Sequence, residues 1–373
     1  MTRPVRFLGL TFAALLLCFG AREADAQRVK RVKTTGVIAT LGPSTSNTKT
    51  IRGMLRAGAR VARVNLSHNN ARSMAKVVRP MRAAARAQGL RVPLLADLPG
   101  GKVRTGPMGS KAVTLKKGQS FDVVTGKTVK TTQTRASVAY STLTKHTKVG
   151  DHLLIDDGNI ELVVKSVSKN KVSTRVVKAG TMRSNIGLAI KGKELPFPAM
   201  TAQDRRKLKI AVKNGVDWVG VSMVQSPKNL LAVRRALNKL GAKDVKIVAK
   251  IESVSAMDNL AAIVKQSDII MIARGDLSTA VGPKNLAKAE AQIAKVAKEH
   301  GKPFIAATNY MSNMIANSKP SAANKADVKK TLKLQPNWFM LNETAIGKHP
   351  VATVKELKAL FPKEVKTRKA QTR

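Results

Sequence analysis

The sequence places a lysine and a glutamate two positions apart at the end of an apolar run, in the tripeptide Lys250-Ile-Glu252. Side chains at positions i and i+2 of a strand point to the same face, so this ammonium and this carboxylate project together. Arg63, Asn65 and Ser67 repeat that spacing at the end of another apolar run. Both runs therefore present charged or polar groups to one side of a sheet.

These residue types fit phosphoryl transfer. Two carboxylates from neighbouring strands, Glu252 and Asp276, are the hard oxygen ligands that Mg²⁺ prefers, and they leave positions for water and phosphate oxygens. Beside such a metal, Lys250 and Arg63 would neutralise the charge that spreads over a transferring phosphoryl group. Each residue alone also fits a solvated strand end, and Thr308 alone fits a helix cap. It is the recurrence of polar groups after six strands that favours a shared site.

Eight short apolar runs of the buried type alternate with helical patterns along the chain. The predicted strands are 35–41, 61–66, 92–97, 217–223, 245–251, 268–273, 303–308 and 338–341. Residues 107–195 break this rhythm, because Val, Thr and Lys alternate there between glycine turns, which is typical of antiparallel β-structure. The remaining segments, 34–106 and 196–360, together approach the roughly 250 residues of a (β/α)8 barrel.

In such a barrel the loops after the strands converge on one face, so the polar strand ends would form one site. An open, doubly wound sheet is the alternative. No glycine-rich dinucleotide fingerprint follows the first strand, and this favours the barrel.

The first 26 residues have the pattern of a cleaved signal: two arginines, an apolar run and the A-x-A motif Ala24-Asp-Ala26. The apolar run is shorter than the roughly 20 residues that span a bilayer. We expect a secreted or periplasmic protein after cleavage near Ala26, with an organelle presequence as the alternative. The only cysteine, Cys18, lies in this segment, so the mature chain would form neither disulfides nor Cys–His zinc sites. Basic segments follow at 27–33 and end the sequence at 361–373.

The charge balance is strongly positive. The chain has 68 Lys and Arg against 22 Asp and Glu, a net charge of +46. Such a field attracts polyanions, whether nucleic acid, anionic lipid or phosphorylated metabolites, and it does not determine the fold. Aromatic residues make up only 3% of the chain, and no known nucleic-acid-binding module is recognisable, so a base-stacking platform is not expected.

In their order and spacing, several segments resemble the pyruvate kinase family, from about Thr34 to Leu360. The segments are ATLGPST, MLRAGARVARVNLSH, LLADLPGGKVRTG, LLIDDG, KIVAKIES, DIIMIARGDL, GKPFIAAT and MLNETAIGKHP. The resemblance implies an α/β fold, a (β/α)8 TIM barrel with an inserted small antiparallel β-barrel lid domain after the third strand. It also implies Mg²⁺-dependent phosphoryl transfer from phosphoenolpyruvate to ADP, giving pyruvate and ATP.

The resemblance assigns roles to residues at matching positions. Arg63 would contact the substrate phosphate, Lys250 the phosphoryl group in flight, and Thr308 the enolate. The substrate-binding positions are Arg63, Lys250, Gly275, Asp276 and Thr308. The Mg²⁺ ligands would be Glu252 and Asp276, and the nucleotide contacts Asn65, His68 and Arg104.

Asn65, Ser67 and Asp97 match the group that holds a monovalent cation in the family. A lysine, Lys102, stands where a glutamate accompanies K⁺ dependence in the family and a lysine accompanies independence. Its ammonium can supply the charge of K⁺ and would repel a second cation. We therefore expect that K⁺ is not required, with the three polar residues supporting Lys102. The alternative is that Lys102 points to solvent.

Some positions depart from the family pattern. The departures are Asn69, Pro99, Ser278, Ala280, Asn309, Tyr310, Ala322 and Asn324, a MLNETA element one residue short, and Ile186 in place of a lid lysine near Lys191. We expect these departures to affect nucleotide binding and turnover more than binding of the substrate phosphate. The alternative function is therefore an exported, catalytically weak or inactive pyruvate-kinase-like protein that binds phosphorylated or polyanionic ligands.

The pyruvate kinase family has a C-terminal regulatory domain, and because only the basic segment 361–373 follows residue 360 here, we expect that this domain is missing. From this we expect no effector control of the usual kind, and a monomer or dimer rather than a tetramer.

Overall fold

The computed structural model describes residues 35–67, 69–108, 112–126, 129, 131–156 and 158–362. The predicted signal at 1–26, the linker at 27–33 and all but two residues of the tail lie outside these residues, so cleavage near Ala26 stays a prediction. Gly36–Pro362 forms one structural unit. Within the described residues, no helix is both long and apolar enough to cross a membrane.

Eight parallel strands close into a barrel. In ring order they are β1 (Gly36–Leu41), β2 (Ala59–Asn65), β3 (Leu94–Asp97), β12 (Trp218–Val221), β13 (Lys246–Ile251), β14 (Ile269–Ala273), β15 (Phe304–Ala307) and β16 (Trp338–Leu341). β16 pairs in parallel with β1, which closes the ring and rules out the open sheet. The predicted (β/α)8 fold is confirmed, and each of the eight strands lies within two residues of its predicted ends.

The barrel strands are apolar on both faces, since one face lines the interior and the other packs against helices. In β1, Val37 and Ala39 belong to the layer between strands and helices, whereas Ile38 joins the interior cluster. That interior cluster consists of Ile38, Val61, Leu95, Trp218, Val248, Ile269, Met271, Ile305, Ala307 and Met340. The barrel is therefore a packed core, and chemistry is left to its rim.

Helices surround the barrel. They are α1 (Thr48–Ala57), α2 (Ala71–Arg86), α4 (Ala202–Lys213), α5 (Pro227–Lys239), α6 (Val254–Asp258), α7 (Leu260–Gln266), α8 (Arg274–Val281), α9 (Leu286–Glu299), α10 (Ala322–Leu332) and α11 (Pro350–Ala359), with α3 (Leu143–His146) in the insert. Polar caps define several starts: Asn70 accepts a hydrogen bond from the Ser73 amide of α2, and Thr201 accepts one from the Asp204 amide of α4. Glycine ends α1, where Gly58 has a φ of 115°.

The segment between β3 and β12 holds the inserted strands. They are β4 (Val113–Leu115), β5 (Ser120–Thr125), β6 (Arg135–Val138), β7 (His152–Ile155), β8 (Ile160–Ser168), β9 (Lys171–Lys178), β10 (Gly180–Met182) and β11 (Leu188–Ile190). They form a six-stranded sheet, in the order β11-β7-β8-β9-β5-β6, and a β10-β4 pair. The pairing is antiparallel except for β5 and β6, which run in parallel. The connection between these two strands returns to the start of β5 instead of making a hairpin, and the alternating pattern of the sequence does not reveal such a return.

The insert contacts the barrel close to the strand ends. Arg104 pairs with Gly187 through an isolated antiparallel bridge, and the Leu188 amide donates to the Val103 carbonyl at 2.9 Å. The Tyr140 ring lies 5.0 Å from that of Phe197. These contacts place the insert beside the rim, where a lid would act.

Candidate active site

Four charged side chains meet where β2, β3 and β13 end. Arg63 lies on β2, Asp97 is the last residue of β3, Lys250 lies on β13, and Glu252 follows that strand directly. Because the strands are parallel, their carboxyl ends share one rim of the barrel. With Asp276, which α8 brings to the same place, these residues are called the rim cluster below.

Arg63 and Asp97 form a buried ion pair. Arg63 Nη2 donates to Asp97 Oδ2 at 2.6 Å, and Nη1 donates to Asn342 Oδ1 at 2.9 Å. Arg63 Nε is buried and has no hydrogen-bond partner. The guanidinium is thus fixed by two strands of the barrel, and it keeps one donor that protein atoms do not satisfy.

The Lys250 ammonium lies among oxygen atoms. It donates to Ser222 Oγ at 2.7 Å, and its Nζ is 3.3 Å from Glu252 Oε2 and 3.6 Å from Asp97 Oδ1. Burial would lower the pKa of Lys250, but the charges of Asp97, Glu252 and Asp276 outweigh it and raise that pKa. Lys250 therefore holds a positive charge at the rim at neutral pH.

The pKa values of the two carboxylates beside Lys250 are shifted in opposite directions. Burial would raise the pKa of Asp97, but the charges of Lys250 and Arg63 hold it below its usual value. At Glu252, burial, with a smaller contribution from Asp276, raises the pKa to about 7. Glu252 Oε1 accepts a hydrogen bond from the Met223 amide at 2.6 Å, whereas the buried Oε2 has no hydrogen-bond partner. Glu252 Oε2 thus accepts no hydrogen bond, but it lies 3.3 Å from the Lys250 ammonium as an ion pair.

Asp276 lies in the first turn of α8 and pairs with Lys102, whose Nζ is 2.6 Å from Oδ1. Burial would raise the pKa of Asp276, but Lys102 and then Lys250 lower it. The start of α8 is held in place by its first residue, Arg274, which forms ion pairs of 3.0 Å with Glu290 and 2.7 Å with Asp327.

Thr308 lies directly after β15 in an unusual backbone conformation. Its φ is 88°, and Asn309 follows with a φ of 61°. A β-branched residue in this region costs on the order of 1–3 kcal/mol, a cost that is found most often at functional sites. Thr308 lies against the start of α8, since a Cβ added at Gly275 would be 3.3 Å from its methyl carbon. The buried Tyr310 packs beneath Arg274, with 4.5 Å between the guanidinium carbon and the ring centre.

This arrangement can bind a phosphoryl group and a divalent metal together. Two cations, Arg63 and Lys250, stand beside carboxylates that can take a metal, on a rim that an inserted domain borders. The pattern of the family described as pyruvate kinase, barrel domain, matches residues 32–354. The chain belongs to the pyruvate kinase family.

Individual relatives agree with this assignment. The pyruvate kinase of Mycobacterium tuberculosis is 34% identical over 326 residues, which cover 87% of this chain and 69% of the relative. The pyruvate kinase of Thermococcus litoralis is 36% identical over 321 residues, covering 86% and 67%. That of Clostridium perfringens is 31% identical over 318 residues, covering 85% and 67%. The relatives are phosphotransferases by name, and the chain is a member of that enzyme family.

The positions expected to contact nucleotide in the pyruvate kinase family are less connected to the rim cluster. Asn65 Oδ1 accepts a hydrogen bond from the Ser67 amide at 3.0 Å. Arg104 Nη1 donates to the Asn185 carbonyl of the insert at 3.1 Å, and its charge also lowers the pKa of Asp276. His68 lies outside the described residues. Its nucleotide contact stays a prediction.

Two clefts adjoin the site of this pyruvate kinase relative. One, of about 450 Å³, is lined by Lys102, Glu252 and Asp276 together with residues of the insert. The other, of about 600 Å³, is lined by Gly275 and Thr308 among others. The insert residue Lys191 lines both clefts and pairs with Glu161 at 3.2 Å, whereas Ile186 packs against the core of the insert. Lys191 therefore faces the rim, and Lys193 of the insert lines the first cleft with it.

Sequence reasoning missed Ser222. Its hydroxyl accepts from Lys250 and donates to the Leu98 carbonyl at 2.7 Å, so it links the ends of three strands. The sequence does contain a sign of its role, because Ser222 directly follows the buried strand Trp218–Val221, as other site residues follow their strands. A lone serine carries little chemical information by itself.

Proposed function

We propose that this chain is an active pyruvate kinase, which transfers the phosphoryl group of phosphoenolpyruvate to ADP and gives pyruvate and ATP. The observation that carries the proposal is the position of Lys250, whose ammonium is held by Ser222, Glu252 and Asp97 at the barrel rim. A charged amine that is fixed in this way needs no rearrangement to stabilise negative charge as a phosphoryl group moves.

Arg63 would bind the phosphate end of the substrate. Its guanidinium is held by Asp97 and Asn342, and its side chain is 9% exposed at the barrel rim. A planar guanidinium is well suited to phosphate.

Glu252 and Asp276 fit Mg²⁺. Both are hard oxygen ligands, and Glu252 Oε2 accepts no hydrogen bond, although the Lys250 ammonium lies 3.3 Å from it. Within the described residues there is no group of three or more His, Cys, Asp or Glu that could hold a metal, so substrate oxygens and water would complete the shell. When bound, Mg²⁺ would neutralise charge on phosphoryl oxygens.

Thr308 and the start of α8 would serve the other end of the substrate. The first amides of a helix, here those of Gly275 and Asp276, lack intrahelical acceptors and attract a carboxylate. Thr308 lies against Gly275, where its hydroxyl could take part in protonation of the enolate.

Lys102 supports the proposal that K⁺ is not required. Its ammonium forms a 2.6 Å ion pair with Asp276 and its side chain is 25% exposed, which argues against the alternative of a solvent-pointing lysine. Lys102 thus contacts a carboxylate that is proposed to bind the metal, while Asp97 is engaged by Arg63 and Lys250. A fixed positive charge in the site would take the place of a monovalent cation.

A coupled assay with phosphoenolpyruvate, ADP and Mg²⁺ tests the function. Lys250→Met should lower kcat by at least about a thousandfold, the effect of losing a preorganised electrostatic group. Lys246→Met is the matched control, because Lys246 begins the same strand and is exposed to solvent; it should retain activity. Asp276→Ala should instead raise the Mg²⁺ concentration that is needed. No turnover by the unmodified chain, or equal effects of both lysine changes, would contradict the proposal.

The comparisons give no support to the alternative of an exported, inactive binding protein. In that case the rim cluster would bind phosphorylated ligands without turnover, and the same assay would read zero with every variant.

A further inference from the structure

The outer faces of α1 and α2 carry only positive charge. The sequence has no aspartate or glutamate between Gln27 and Ala96. Within that stretch the two helices expose a set of cationic side chains, called the α1–α2 surface below. Its members are Lys49, Arg52, Arg56, Arg72, Lys76, Arg79, Arg82 and Arg86.

Helical spacing places these side chains on one face of each helix. In α2, Arg72, Lys76 and Arg79 follow each other at intervals of four and three residues, and Met74 and Met81 are buried on the opposite face. The helices α1 and α2 pack side by side. The two cationic stripes are therefore neighbours on one outer surface of the barrel.

The positive surface continues onto α4. Arg82 Nη2 donates to the Asn214 and Gly215 carbonyls at 2.8 and 2.7 Å, which joins α2 to the end of α4. The acidic residue in the first turn of α4, Asp204, is buried, where it caps the helix with Thr201. The exposed cations that α4 adds are Arg205, Arg206, Lys209 and Lys213.

Protein carboxylates do not neutralise this surface. Among the described residues, no ion pair includes a member of the α1–α2 surface. Like charges three or four residues apart destabilise a helix, so the stripes cost stability in the free protein. A polyanion that lies across both helices would relieve that repulsion.

The chemistry of the surface selects among polyanions. Six of its eight members are arginines, whose planar guanidinium forms paired hydrogen bonds with phosphate oxygens. The large apolar side chains that the described part of the chain exposes lie elsewhere, on other helices, loops and the insert, so the surface has no apolar anchor for a bilayer. It has no aromatic side chain for base stacking. Of the binding modes considered, the surface fits contact with the phosphates of a nucleic acid without contact with its bases.

We propose that the α1–α2 surface binds the phosphodiester backbone of a nucleic acid without reading its sequence. The affinity then comes from release of the counterions that phosphates hold, and it falls steeply with salt. Because the surface lies on the outside of the barrel, binding there leaves the rim cluster open.

The test measures binding of the full chain to a fluorescent DNA duplex of mixed sequence, by anisotropy, over a range of salt concentrations. The variant carries Arg52→Gln, Arg56→Gln, Arg79→Gln and Arg86→Gln. The matched control carries Lys284→Gln, Lys288→Gln, Lys295→Gln and Lys298→Gln, which remove the same charge from the exposed side of α9 and the turn before it. Both retain the basic segments at the two ends of the sequence.

We expect the variant to bind at least about tenfold more weakly at physiological salt. Its slope of log affinity against log salt should become shallower by about 3.6, since each of the four lost phosphate contacts removes about 0.9. The control should lose far less in both quantities. Equal losses in the two proteins would show that net charge, and not this surface, governs binding, and would overturn the proposal.

Two further outcomes would also overturn it. One is no binding of the duplex by the unmodified chain at physiological salt. The other is binding to anionic lipid vesicles, lost in the variant, without binding to the duplex, which would make the partner a membrane. Crosslinking of the unmodified chain to the duplex gives a readout independent of variant folding. The crosslinked peptides should come from α1 and α2, and crosslinks confined to other helices would contradict the proposal.

Discussion

At the barrel rim, Lys250 lies 3.3 Å from Glu252 and 3.6 Å from Asp97, whereas Arg72 and Lys76 on the outside of the same barrel form no ion pair within the described residues. Both regions are rich in cations. The two regions differ in how far water can solvate their charges. A buried charge without a partner costs several kcal/mol, so the rim can hold cations only together with carboxylates. On the surface, water solvates each charge and no partner is needed.

The comparison also separates two ways of attracting phosphate. The rim cluster fixes few charges at defined distances in a largely buried place, which suits chemistry on one phosphoryl group. The α1–α2 surface spreads many mobile side chains over two helices, which suits a long polyanion. The effects of removing one charge should therefore differ between the two regions, both in the property that changes and in the size of the change.

The largest difference is expected in stability. Arg63→Met should lower the free energy of unfolding by about 3 kcal/mol, because it leaves the buried Asp97 without its closest partner. Arg79→Met on the α1–α2 surface should change it by less than about 0.5 kcal/mol. Urea denaturation of both variants, followed by circular dichroism, measures the two values. Similar losses would mean that burial does not distinguish the two regions.

An intermediate effect is expected at Lys102, because the side chains of its ion pair with Asp276 are 25% and 35% exposed. Lys102→Glu removes the fixed positive charge, so activity in sodium or tetramethylammonium buffer should fall by roughly tenfold, as for one lost electrostatic contact of about 1.4 kcal/mol. Added K⁺ should restore much of it. An unmodified chain that is active only with K⁺ would show that Lys102 does not replace the cation.

The smallest effect is expected for an exposed ion pair. Lys319 Nζ lies 2.7 Å from Glu356 Oε1, but the Lys319 side chain is 79% exposed. Lys319→Ala should lower the free energy of unfolding by less than about 0.5 kcal/mol, because water and salt screen the pair. A loss as large as that of Arg63→Met would show that the distance between the atoms, and not burial, sets the value of an ion pair in this chain.

Local patterns were enough to predict the barrel and most of the rim cluster. The apolar runs of parallel strands are continuous because both faces are buried, and so Trp338–Leu341 could be recognised as a strand with its observed ends. The two-residue spacing of Lys250 and Glu252 was enough to place them together, because it follows from the pleat of a single strand. The parallel pairing of β5 with β6 could not be predicted, since both parallel and antiparallel partners fit the same alternation.

By itself, therefore, the sequence determined which residues end the strands, which family the chain resembles, and that α1 and α2 carry no acidic residue. Only the tertiary structure decided which charges pair. It placed Lys102 on Asp276, which is far away in sequence, and it brought Ser222 to Lys250. It also left one nitrogen of Arg63 and one oxygen of Glu252 buried without hydrogen-bond partners. The reason is that pairing and desolvation depend on distances between strands and loops, which the chain fixes only when the barrel closes.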